Sequence, residues 1–147
     1  MVKNIYVNLV VKDLNKSIKF FSALGFKFNP VFTNETAACM IIDENIYSML
    51  VTESKFKEFT NKIISNAFKY TETLISIGLE SREKVDEIAN KALLAGGIIY
   101  RDTDDLGWMY QRSFEDLDGH QWELLSMNED AMNAEIEKTA NHNQINQ

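Results

Sequence analysis

The chain has 147 residues, 45% of them hydrophobic and 25% charged, with a formal net charge of −7. That length and apolar content suit one domain with a full core. The acidic balance argues against nucleic acid or an anionic membrane as partner, since both demand a basic face to offset phosphate charge.

A single cysteine leaves no internal disulfide and no cysteine metal cluster. Cys39, set among Ala37, Ala38, Met40 and Ile41, reads as a small buried hydrophobe. No apolar run approaches the roughly 20 residues that span a bilayer. Residues 1–4 lack the apolar stretch of a leader, so a cytoplasmic protein is expected.

In chain order, residues 3–11 read as a strand with Ile5, Val7 and Leu9 on one face and Tyr6, Asn8 and Val10 on the other. Asp13 is a good N-cap, Leu14, Ile18, Phe21 and Leu24 follow at helical spacing, and Gly25 is the stop. Strand-like runs come next at 26–32, 37–42 and 46–51, separated by Asn34-Glu35 and Asp43-Glu44-Asn45. This makes one βαβββ unit over about residues 3–52.

Residues 54–68 place Phe56, Phe59, Ile63 and Ala67 on one helical face. They are expected to form an inserted helix, docked on a sheet edge or a dimer partner, or lying as a lid over a cleft. The scheme then repeats over about 71–127. A strand at 71–79 leads to a helix capped by Ser81, with Val85, Ile88, Ala92 and Ala95 inward and Gly96-Gly97 at its end. Strands at 98–101, 107–114 and 121–127 follow. Two such units, each open on its own, bury a core when they pair and enclose a concave cleft. One domain therefore spans 1–127, and 128–147 are a short helix to about Lys138 and a polar tail from Asn141.

The stretch 114–125, FEDLDGHQWELL, is a strand, a tight Asp118-Gly119 turn and a second strand that holds Glu123 on the face opposite Trp122. With residues 11–26, VKDLNKSIKFFSALGF, it resembles the vicinal oxygen chelate superfamily of glyoxalases, extradiol dioxygenases, fosfomycin-resistance transferases and bleomycin-resistance binding proteins. Members of that superfamily pair V-x-D-L-x-x-S-x-x-F-(Y/F)-x-x-L-G-F with F-x-D-P-D-G-x-x-W-E-L. The departure is Leu117, where the family usually has Pro, and it concerns turn stiffness more than chemistry.

The resemblance implies an α+β fold in which tandem βαβββ units form a curved mixed sheet around a ligand cleft, and it implies a homodimer. Of the family's metal-ligand positions only the last is matched, by Glu123. The first-strand position falls on Tyr6 or Asn8, the fourth-strand position near Met49 with Ser48 and Leu50 beside it, and the fifth-strand position around Glu72, Thr73 or Leu74. Only Glu72 could replace a missing ligand. His120 and His142 are the two histidines and lie on neither kind of strand position, so the two-histidine, one-carboxylate site of ferrous dioxygen chemistry cannot be assembled. His120 is expected to hydrogen-bond locally in the turn. A glyoxalase-type ion needs about four fixed donors. No metal cofactor is therefore favoured, and a divalent metal is the alternative.

Without a metal, Glu123 needs water, a polar neighbour such as Asn8 or Arg112, or the cationic part of a ligand, because an unpaired carboxylate in a partly apolar cleft is costly. It is also the one candidate for a general base. The strand at 107–114 alternates Trp108, Tyr110, Arg112 and Phe114 against Met109, Gln111 and Ser113, and either face could be the cleft wall. Whether the chain is an enzyme stays open. The function expected is a metal-free small-molecule binding protein with Asn8, Met49, Trp108, Tyr110 and Glu123 at the ligand, and the alternative is a metal-dependent lyase or thiol transferase of the glyoxalase type.

Overall fold

The structure is a computed structural model and describes residues 1–145. The first half forms strands β1 (Ile5–Val11), β2 (Lys27–Asn29), β3 (Ala37–Asp43) and β4 (Ile46–Thr52), with helix α1 (Leu14–Leu24) after β1. Their sheet order is β1-β4-β3-β2, with β1 parallel to β4 and the other pairs antiparallel. Asp13 caps α1 by accepting from the Lys16 amide, and Gly25 closes it at φ 104°, a left-handed conformation that carries no side-chain penalty in glycine. The run expected as a strand to residue 32 stops at Asn29. Pro30 has no N–H to give the ladder, and Asn29 caps a 3-10 turn, Pro30–Phe32, through the Val31 amide.

The second half repeats this plan. Strands β5 (Ile75–Gly78), β6 (Asp104–Asp105), β7 (Met109–Glu115) and β8 (Gln121–Met127) pair in the order β5-β8-β7-β6, again with the first strand parallel to the last. Helix α3 (Arg82–Leu94), capped by Ser81, occupies the place of α1. The molecule is thus α+β, two four-stranded mixed sheets with helices and no closed barrel, as the tandem motif requires.

The two halves share one core. Helices α1 and α3 pack on each other, Phe21 meets the Trp122 ring edge-on at 5.3 Å between centroids, and Phe20 lies 6.1 Å from Phe114. Trp122, Phe114, Phe21, Leu50 and Met40 are completely or almost completely buried. Gly97 allows this closeness, since a Cβ there would stand 2.9 Å from the Ala92 and Glu115 carbonyl oxygens and 3.2 Å from the Phe20 ring.

The strand expected at 71–79 forms only over Ile75–Gly78, and three further segments differ from expectation. The inserted helix at 54–68 is a single turn, α2 (Glu53–Phe56), followed by irregular chain in which Phe59 and Phe68 are exposed and Ile63 is 98% exposed. Residues 60–66, Thr-Asn-Lys-Ile-Ile-Ser-Asn, are mostly poor helix formers, and the Thr60 and Asn66 side chains bond nearby amides in turns instead. The expected strand at 98–101 reduces to a bridge between Ile98 and Glu115. Pairing resumes only at Asp104 with Gln111, so residues 99–103 stand opposite residues 112–114 and bulge from the sheet. An ion pair between Arg101 and Asp104 ties that bulge.

Helix α4 (Glu129–Ile145) continues past Lys138 into the segment expected as a polar tail. Asn128 caps it through the Ala131 amide, and its acidic first turn suits the helix dipole. The last two residues of the expected tail, 146–147, lie outside the described residues. Among the described residues no helix is long and apolar enough to cross a membrane.

Candidate functional site

Strand alternation divides each sheet into a face under the helices and a face turned away from them. In the N-terminal sheet, Leu9, Val11, Leu50, Ala38 and Met40 join the core, so Tyr6, Asn8, Tyr47, Met49, Cys39 and Ile41 occupy the other side. Asn8, Met49 and Cys39 are register partners across three strands, so Asn8 and Met49 are neighbours. Beside them Tyr6 and Tyr47 stack at 4.9 Å and 14°. Cys39 is 1% exposed, and burial raises its thiol pKa, which keeps it a protonated, unreactive packing group.

In the C-terminal sheet Trp122 and Leu124 point into the core, and Glu123 lies on the opposite face with Met109, Gln111, Ser113 and Leu125. This decides the strand whose orientation the sequence left open. Tyr110 and Arg112 turn toward α3, where the Tyr110 hydroxyl donates to Asp86 at 2.8 Å and Arg112 reaches Asp86 at 2.9 Å and Asn90 at 3.0 Å. The Arg82 guanidinium covers the Tyr110 ring at 4.9 Å. Trp108, of the same parity, lines a groove with Met132 and Ile136 of α4. Neither Trp108 nor Tyr110 shares a face with Glu123, because the apolar bodies of this stripe pack on helices.

Glu123 is only 14% exposed and has partners within the chain. Ser76 donates to one carboxylate oxygen at 2.5 Å, and Arg101, 43% exposed on the 99–103 bulge, stands 3.7 Å from the other. The partners expected from sequence, Asn8 and Arg112, do not serve. Arg101 was missed because its position over Glu123 depends on the bulge, which strand periodicity does not announce.

The turn after β7 joins the two halves. Asp116, 5% exposed, accepts from the Asp118 and His120 amides and from the buried Trp122 indole, each at 3.0 Å. Burial raises the Asp116 pKa against the pull of His120 and these hydrogen bonds. Asp118 in turn accepts from the Lys12 amide at 2.8 Å and the Ser17 hydroxyl at 3.3 Å. His120 does not bond locally through its ring: its Nε2 donates to the Val10 carbonyl of β1 at 2.6 Å. The motif residues read as a hairpin turn are therefore also the clamp between the units.

Beside this clamp lies a cavity of about 300 Å³. Its walls include Asn8 and Val10 of β1, Ile75 of β5, His120 and Gln121, and residues of the 57–74 crossing segment, among them Ile63, Tyr70 and Glu72. Met49 and Glu123 do not line it. The crossing segment is pressed against the turn, since a Cβ on Gly119 (φ 84°) would fall 2.8 to 3.0 Å from atoms of Phe68 and Ala67.

The bleomycin resistance protein-like N-terminal family matches residues 3–42. A hypothetical protein from S. aureus, SA1046, superposes with a TM-score of 0.73 at 30% identity over 86% of this chain and 95% of that one. The chain belongs to the glyoxalase/bleomycin resistance/dioxygenase family, within the vicinal oxygen chelate superfamily. More distant members share the fold. A glyoxalase/bleomycin resistance protein/dioxygenase family enzyme from Burkholderia phytofirmans has a TM-score of 0.69 at 14% identity, covering 84% of this chain and 97% of its own. The fosfomycin resistance protein FosX from Listeria monocytogenes has a TM-score of 0.62 at 19% identity, covering 87% and 94%. No protein of curated function matches the chain in sequence.

Within this vicinal oxygen chelate fold the donor set does not fit the family's metal site. The relevant strand positions hold an amide (Asn8), a thioether (Met49) and a carboxylate (Glu123) already engaged by Ser76 and Arg101, while Glu72 lines the cavity that Glu123 does not reach. Among the described residues no three His, Cys, Asp or Glu side chains converge. A thioether is a poor donor to a hard divalent ion, and one hard oxygen per locus is too few for the usual four to six.

Proposed function

We propose that this family member is a metal-independent binding protein for a small organic molecule. The cavity of about 300 Å³ between the units carries this reading, because it is the size of a small-ligand pocket. The Asn8, Lys62, Tyr70 and Glu72 side chains on its wall have no hydrogen-bond or ion-pair partner among the described residues. Asn8 continues into Met49 and the Tyr6–Tyr47 stack on the open face of the N-terminal sheet, so a ligand seated at Asn8 extends over an aromatic and thioether surface.

The working form is a cytoplasmic homodimer. Ile5 and Ile46, which are 53% and 42% exposed, sit side by side where β1 and β4 begin, and a second copy covers them. An NMR fragment screen on metal-analysed protein tests the proposal. Saturable shifts at Asn8 and its neighbours that survive a chelator are expected. Binding that appears only with a divalent ion would make the chain a metal-dependent lyase or thiol transferase instead.

A further inference from the structure

The His120 ring bond has a chemical consequence for the cavity that it lines. The Val10 carbonyl can only accept, so at 2.6 Å the proton between them belongs to Nε2. In the neutral ring that leaves Nδ1 with the lone pair, and Nδ1 has no partner among the described residues. The neighbouring Gln121 is fixed in the same sense. Its Nε2 donates to Glu115 at 3.1 Å, which leaves its amide oxygen as the free acceptor. Glu72, also on the wall, adds a carboxylate with no partner among the described residues. Three acceptors of different elements therefore border one cavity, whose wall also carries the apolar side chains of Val10, Ile63 and Ile75 and the donors of Asn8, Lys62 and Tyr70.

We infer that the cavity between the units takes a molecule with an apolar body and N–H donors, and that His120 Nδ1 is a specificity-determining acceptor for it. This deepens the small-molecule reading above and rests on it. The clamp and the site share one residue: the Val10 bond that holds the units together is also what turns the imidazole into an acceptor. An acceptor-only ligand leaves the His120, Gln121 and Glu72 lone pairs without a partner and binds more weakly than a donor of the same shape, because each is desolvated uncompensated. The chain's net charge of −7 favours the protonated form of such a donor over an anion of equal size.

Benzamidine is a suitable probe, with two N–H-bearing nitrogens on a phenyl body, and benzoate is its acceptor-only counterpart. Benzamidine is expected to bind saturably and benzoate more weakly. In His120→Gln the side-chain amide can still reach the Val10 carbonyl, but no acceptor remains at the Nδ1 position. It is expected to keep the wild-type urea midpoint and to bind benzamidine about tenfold more weakly, the size of one lost hydrogen bond. Imidazole nitrogen NMR on the unmodified protein gives a second reading that needs no variant. Nε2 should carry the proton in the free neutral ring, and the Nδ1 signal should shift on titration with benzamidine.

A proton on Nδ1 of the free neutral ring, equal binding of benzoate, unchanged affinity in His120→Gln, or no benzamidine binding would each overturn the inference. Should other fragments fill the cavity with His120 silent, only this inference falls. Should no fragment perturb Asn8 or its neighbours, the small-molecule reading falls with it.

Discussion

Glu123→Gln isolates the charge of the one carboxylate on a family ligand position, because glutamine keeps the size and a carbonyl acceptor. Two contacts change. The Ser76 hydroxyl, now 2.5 Å from a carboxylate oxygen, becomes a donor to a neutral amide oxygen. A charge-assisted hydrogen bond, worth roughly 1.5 to 3 kcal/mol, drops to a neutral one of roughly 0.5 to 1.5. Arg101 loses its counter-ion at 3.7 Å. At an effective dielectric of about 20 the gross attraction over that distance is roughly 4 kcal/mol. Arg101 is 43% exposed and also holds Asp104, so water and the second carboxylate recover most of it. Its net share falls to the roughly 0 to 1 kcal/mol of an exposed pair. The substitution is therefore expected to cost about 1 to 2 kcal/mol, read as a lower urea midpoint at unchanged slope. For a chain of this size the melting temperature should fall by roughly 2 to 8 °C. An unchanged midpoint would refute the internal pairing of Glu123, and unchanged stability with lost ligand affinity would move the carboxylate into the binding site.

Asp116→Asn tests the buried turn through pH. Because burial raises the folded-state pKa of Asp116, its stability contribution is full below the unfolded value of about 3.9 and is lost as pH rises through the folded value. The stability difference between wild type and Asp116→Asn should thus favour wild type most in acid and shift against it toward neutrality, and a pH-independent difference would contradict the assignment. Gly119→Ala should cost more than about 1 kcal/mol, since it places a side chain at φ 84° and against the Phe68 backbone, and it should speed proteolysis within residues 57–74. Light scattering at micromolar concentration should give a dimer, and a monomer would remove that part of the proposal while leaving the fold untouched. Chelator should leave the melting temperature unchanged, whereas a resident ion would have stabilised the folded chain by mass action.

What could be read from sequence follows the range over which each signal acts. Asp13, Gly25 and Ser81 define helix ends through bonds spanning three or four residues, and the alternation of Trp122 with Glu123 is a property of one strand, so these needed no tertiary information. The crossing segment misled because spacing alone proposed a helix for Phe56, Phe59, Ile63 and Ala67. Phe59 and Ile63 of that face are exposed with nothing to bury against, and the Thr60 and Asn66 side chains offer the backbone other partners. The orientation of residues 108–114 is a two-fold choice that the strand itself cannot make. It is settled by Asp86 and Asn90, more than twenty residues away on α3.

The same reasoning explains why the site was legible only in outline. Asn8 and Glu123 were accessible from motif register, but what they touch depends on two irregularities, the bulge at 99–103 and the crossing at 57–74. The bulge brings Arg101 to Glu123 and so turns an unpaired carboxylate into a satisfied one, which removes the electrostatic demand for a metal or a ligand cation at that point. The crossing segment instead encloses Asn8, Glu72 and His120 in one cavity, although they belong to three separate stretches of chain. On the function proposed above, the ligand site lies at the junction between the units rather than at the strand position where the family's carboxylate sits. There the Asp118 and His120 clamp supplies the rigidity that a recognition site requires.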